Sequence, residues 1–154
     1  MIEVFNRSGI NCPENEVTKL LTFSIKELGL SEECELTLTF IDDAEMEQLH
    51  INWMNLPGST DVMSFPMDEL RAGTADQDSD EGVLGDIVIC PTVAQRQAET
   101  AGHATEVEMR LLLTHGILHL LGHDHAEPDE HAIMFGLQSH LLEQVAQARG
   151  GHSV

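Results

Sequence analysis

The chain reads as a single α+β domain, a mixed, roughly four-stranded sheet with about five helices. Three observations predict this. Its 154 residues suit one domain with its own core. Four short segments are apolar or alternate apolar with polar residues, and they favour β-branched side chains, as strands do. Five others carry apolar residues at helical spacing between recognisable start and stop signals. The two kinds do not strictly alternate, which argues for a mixed sheet.

Ile2 to Phe5 is a short apolar strand. Pro13 suits the first turn of a helix. Val17, Leu20, Leu21, Ser24, Ile25 and Leu28 come next at helical spacing, and Gly29 ends the run. Glu35 to Ile41 alternates polar with apolar residues, the pattern of a strand with one buried face. Asp42 and Asp43 can cap a helix reaching about Met54, with Met46 and Leu49 turned inward. Residues 55–59 form a turn by composition. Asp61 to Phe65 is a strand that Pro66 ends, which places it near a sheet edge.

Residues 67–82 are acidic and carry Gly, Ala and Ser, so they are expected to form a flexible loop. They are not a domain linker, because the residues C-terminal to them cannot form a core alone. Val83 to Cys90 is a buried strand, and Pro91 opens a helix reaching about Ala101. Thr105 and Glu108 fit a capping box. The helix they start runs through Leu111, Leu112 and Leu113 to Leu121, where Gly122 stops it. A last helix begins near Pro128 and puts Ile133, Leu137, Leu141 and Val145 on one face. Residues 150–154 form a frayed tail, and there are no internal repeats.

Cys12, Cys34 and Cys90 are odd in number and widely spaced, which favours a reducing compartment. No secretory signal is visible at the N-terminus, and no apolar run is long enough to span a membrane. The expectation is a soluble, cytoplasmic protein without a membrane partner. Seven Lys and Arg face 27 Asp and Glu, a formal net charge of −20. That argues against strong, unaided binding of nucleic acid, which usually needs a basic footprint. Exposed charges are screened beyond ~8 Å at physiological salt, so a local site can differ from the net. An acidic body can also dock a basic protein, and the plainest role of the charge is solubility.

The informative segment runs from Thr114 to His125. His115 and His119 are four apart in a helix and stand one turn apart on one face. Two imidazoles so placed can hold one ion at ~2.0–2.1 Å. Gly122 can turn the chain out of the helix and return His125 toward the same ion. The spacing H-x3-H-x2-G-x2-H is that of the metzincin proteases, which makes this a zincin-like metal-binding helix. Gly116 stands where those enzymes carry their Glu general base, so the metal frame is kept and the peptidase chemistry is not. His123 competes with His125 as third ligand, and His125 fits the spacing better. His50, His103, His131, His140 and His152 have no spacing partner and read as surface or packing residues. Three neutral imidazoles leave a position open for an acidified water, the pattern of catalytic zinc. Cys90 is the remote candidate for a fourth, structural ligand and reads more simply as a buried strand residue.

The stretch His115-Gly-Ile-Leu-His119-Leu-Leu-Gly122-His-Asp-His125 closely resembles the signature of the YbeY family of bacterial rRNA maturation factors. Thr60 to Pro66 resembles the family's second motif and Leu84 to Cys90 its third, so the resemblance covers essentially the whole chain. It implies a metal-dependent endoribonuclease specific for single strands, acting in 3′-end maturation of small-subunit (16S) rRNA and in ribosome quality control. It implies one Zn2+ per chain on His115, His119 and His125, with single-stranded rRNA and the small ribosomal subunit as partners. Many members carry Arg directly after the aromatic that precedes the second motif, where this chain has Met54 after Trp53. That Arg is the natural group to hold a phosphate. Arg71, Arg96 and Arg110 are the candidates to replace it.

The expected chemistry is metal-assisted cleavage of an RNA phosphodiester, with His115 and Asp124 as candidate catalytic groups. The proton acceptor is unassigned. Asp124 lies between two candidate ligands and either takes the proton, caps the turn or orients a ligand His. Asp61 reads as a local turn partner and Asp86 as a possible partner of a ligand His. The main rival is a non-catalytic ribosome-assembly factor with structural zinc, its acidic surface binding a basic ribosomal protein. A zincin-type peptidase or deacetylase is the third reading, and Gly116 argues against it.

Overall fold

The computed structural model describes residues 2–31, 33–68 and 82–121. They form β1 (Ile2–Asn6), α1 (Glu14–Glu27), β2 (Glu35–Phe40), α2 (Asp43–Met54), β3 (Val62–Pro66), β4 (Val83–Ile89), α3 (Pro91–Ala101) and α4 (Thr105–Leu120). The sheet order is β1-β2-β4-β3, with β1, β2 and β4 parallel and β3 antiparallel to β4 at one edge. The expected mixed four-stranded sheet is present. Four helices lie among the described residues. The fifth, expected from Pro128, falls outside them, as do the tail and most of the acidic loop.

Alternation along the strands assigns the two faces of the sheet. Leu36, Leu38, Phe40, Ile87 and Ile89 join the larger core with α1, α3 and α4. Its α1 share is Val17, Leu20, Leu21 and Ile25, the run expected from the spacing. The opposite face packs Met63 and Val88 against Met46 of α2 in a smaller core, flanked by Leu49 and Phe65. Leu36, Leu38, Ile87 and Leu113 are each essentially inaccessible to water. Burying a large aliphatic side chain is worth ~1.5–3 kcal/mol, so these apolar layers dominate the fold's stability.

Local signals set the element ends. Asp42 caps α2, its Oδ1 accepting from Glu45 N–H at 2.8 Å. Gly29, at φ +75°, turns the chain out of α1, and Leu30 N–H bonds Ile25 O at 3.0 Å. One expectation fails: Ala104, not Thr105, is the N-cap of α4, and no side chain caps it. The capping box does not form because the Glu108 carboxylate meets the ring of His103 at 2.7 Å instead.

Pro66 behaves as its chemistry requires. Cys90 N–H bonds Asp61 O, and Met67 N–H bonds Leu84 O. The antiparallel ladder therefore turns the odd positions of β3 toward β4 and the even positions outward. The N–H that proline lacks would have pointed off the sheet.

Candidate metal and substrate groove

The histidines of α4 stand beside the edge strand. α4 crosses β4 at Gly116, which is buried, and a Cβ placed there would lie 3.2 Å from both Cδ1 and Cγ2 of Ile87. Ser64 of β3 donates its hydroxyl to Gly116 O at 3.2 Å. Gly85 permits a second close approach. A Cβ there would lie 2.4 Å from Phe65 O and 2.8 Å from Leu120 Cδ2, and its φ of +146° favours glycine. These contacts index α4 against both strands.

Position 116 thus faces the sheet, and a carboxylate there would be driven into Ile87. The glycine read from the sequence as a missing general base stands where α4 packs on Ile87, a place a larger side chain would crowd.

His115 and His119 are half-buried, and their Nε2 atoms converge to 2.9 Å, with ring centroids 4.5 Å apart. Two nitrogens sharing a tetrahedral ion at ~2.0–2.1 Å would lie about 3.3 Å apart, a few tenths of an ångström of ring swing away. The pair is chemically and geometrically fit to supply two ligands of one ion. Among the described residues no group of three or more His, Cys, Asp or Glu converges. Gly122, His123, Asp124 and the third expected ligand, His125, lie outside the described residues.

The two imidazoles line a groove of about 770 Å³ that runs along the edge of β3 left unpaired by the described strands. One wall is α4, with Glu108, Leu111 and Leu112 beside the histidines. The other is the C-terminal half of α2, with His50, Trp53 and Met54. His50 was expected to be surface or packing. It lines the groove, and its Nδ1 lies 3.0 Å from Gly58 O, which pins the turn after α2. His103 likewise has a specific role, holding the nearly buried Glu108. Neither pairing has a local spacing signature, since each depends on how separate segments pack.

The remaining candidates divide between the groove and other parts of the fold. Asp61 lines the groove and makes the expected local bonds, accepting from Val62 N–H at 2.7 Å and from Thr60 Oγ1 at 3.3 Å. Asp86 is exposed on β4, between Gly85 and Ile87, whose Cβ directions meet α4. It therefore faces away from α4 and does not meet His115 or His119. Cys90 is fully buried in the smaller core, as the sequence suggested. Arg96 is held by Asp43 at 3.0 Å in a neighbouring hollow that shares Glu108 with the groove. Arg110 is on α4 but is not among the residues that line the groove, and Arg71 lies outside the described residues. Arg7 pairs with Glu45.

A family model described as Endoribonuclease YbeY matches residues 6–146. The chain belongs to the YbeY family. It is 52% identical over 150 residues to Endoribonuclease YbeY of Clavibacter michiganensis subsp. michiganensis, spanning 97% of this chain and 98% of that one. It is 54% identical over 141 residues to Endoribonuclease YbeY of Renibacterium salmoninarum, spanning 92% and 90%. A Thermotoga maritima protein solved in solution matches with a TM-score of 0.68 and 23% identity, over 99% of this chain and 93% of that one. At that identity the likeness shows the fold alone. Among the described residues no helix is long and apolar enough to cross a membrane.

Proposed function

We propose that the chain is a zinc-dependent endoribonuclease that cuts single-stranded RNA, acting in 3′-end maturation of 16S rRNA and in ribosome quality control. The observation that carries this is the convergence of His115 and His119 Nε2 atoms to 2.9 Å on the wall of a groove. Family membership supports the nuclease activity. His115, His119 and His125 would hold one ion. Such an ion supplies Lewis-acid polarisation of a phosphoryl oxygen and acidification of a water.

The chain's own residues do the rest. α4 presents the two imidazoles from a helix fixed on β4, so their separation is set before substrate arrives. The local bonds to Asp61 orient its carboxylate at the groove wall. Asp124, between two ligand positions, is the candidate to accept the proton or to hold a ligand histidine in one tautomer. Of the candidates to replace the Arg that Met54 displaces, Arg96 is engaged by Asp43 and Arg110 is not among the residues that line the groove.

The net charge of −20 favours a second reading, a non-catalytic assembly factor with structural zinc that binds a basic ribosomal protein. Metal content and cleavage of a single-stranded rRNA fragment, wild type against His115→Ala, separate the two. One zinc per chain, with metal and cleavage both lost in a folded mutant, is the expected outcome. Bound zinc without cleavage transfers the conclusion to the assembly factor. Absence of metal after reloading overturns both.

A further inference from the structure

We infer that Trp53, resting on Phe65, is a stacking platform for one unpaired nucleobase of the RNA strand in the histidine groove. The inference rests on the endoribonuclease reading and adds how that strand is gripped.

Trp53 is 66% exposed, and its sequence neighbours Ile51, Met54 and Leu56 are exposed as well, so it is not a lone apolar residue at the surface. It is not loosely held. Phe65 lies 5.5 Å away, its ring inclined at 68° in an edge-to-face contact. Phe65 is itself packed against the smaller core of Ile41, Met46, Met63, Val88 and Cys90. The backbone after Trp53 is fixed as well. Asn55 closes α2 in the left-handed conformation, and His50 bonds Gly58 O. The result is an aromatic surface on a rigid footing, in the same groove as His115 and His119.

The endoribonuclease reading names the occupant, and the charge limits how it is held. The chain carries −20, and Arg7 and Arg96 are already paired with Glu45 and Asp43. An acidic body adds no general attraction for a polyanion, so contacts to its uncharged bases add affinity that the phosphates do not supply. Aromatic stacking on a base is the available term, and it tolerates any base because each has a π-face. It also selects single strands. In a duplex both base faces are already stacked, and in a loop or end they are free.

The test uses the protein's own fluorophore. The chain has one Trp and no Tyr, so its emission reports Trp53. Zinc-loaded full-length protein is titrated with a 2′-O-methyl single-stranded oligonucleotide, and a gel run after the titration checks that the strand is uncut. The same strand with abasic residues and its duplex serve as comparisons. The intact single strand should quench Trp53, and the other two should not. Trp53→Ala should bind the intact strand about tenfold more weakly, read by anisotropy of a labelled strand, and Trp53→Phe should recover most of the loss. Unchanged circular dichroism and unfolding midpoint in Trp53→Ala confirm that the fold is kept.

Wild-type affinity in Trp53→Ala, binding without quenching, equal quenching by the duplex, or no binding would each overturn the platform. Cleavage of an unmodified strand is measured separately. Cleavage with Trp53 uninvolved leaves the nuclease standing and the platform lost. Quenching by the intact strand without cleavage does the reverse.

Discussion

Gly116 and Ile87 set the distance between α4 and β4, since a Cβ on Gly116 would lie 3.2 Å from two carbons of the isoleucine. Gly116→Ala gains about 1 kcal/mol of helix propensity and loses about 2 kcal/mol to overpacking. The expected net loss is about 1 kcal/mol in urea unfolding. Gly116→Glu buries a charge against the same side chain and should cost more than about 3 kcal/mol without creating peptidase activity. A Glu variant as stable as wild type would show that the helix can lift off the strand.

Asp42 holds the start of the helix that carries His50 and Trp53. Asp42→Ala removes the acceptor for Glu45 N–H and should cost about 1 kcal/mol. Asp42→Asn or Asp42→Ser should retain most of it. The denaturant midpoints of the three variants decide this, and an Ala variant indistinguishable from wild type would dismiss the cap.

Zinc should stabilise the folded protein independently of any turnover. At 100 times its dissociation constant a ligand that binds only the native state adds about 2.7 kcal/mol. For a domain of this size that raises the melting temperature by roughly 5–10 °C. His119→Ala should abolish the rise, and magnesium should not reproduce it. An equal rise in the mutant would move the metal elsewhere.

The thiols give a pH prediction. Burial pushes Cys34 above the ordinary thiol value of 9.0, and desolvation raises Cys12 as well. Below that value both folded and unfolded chains keep their protons, and the stabilisation is fully present. As pH rises past 9.0 the unfolded chain releases protons that the folded chain retains, so stability falls. Urea midpoints at about pH 8 and about pH 10 should differ in that direction. Alkylation at about pH 8 should reach the half-buried Cys12 before the fully buried Cys34 and Cys90.

The sequence made the periodic parts of the fold readable. The alternation of β2, the spacing in α1 and the proline at the end of β3 each follow from one local rule, and the structure obeys them. It misled where a residue had two possible partners. Glu108 could reach back to cap its own helix or sideways to His103, and only packing decides for His103. Gly116 was legible as an absence of carboxylate but not as a contact with Ile87, which lies 29 positions earlier. The pairing of His115 with His119 is a one-helix fact and was visible. The presence of His50 and Trp53 in the same groove requires α2 and α4 to flank one strand, which no spacing encodes.

The outward peptide groups of β3 have a consequence for how the groove should be probed. Ser64 turns its N–H and C=O away from β4, along the groove, and so does the C=O of Val62, whose N–H is held by Asp61. These are donors and acceptors that belong to the main chain, so alanine scanning leaves them in place whatever side chain is removed. A scan of residues 60–66 will therefore understate that wall. Replacing single amides with esters, one at a time, is the chemistry that would expose what the strand itself contributes.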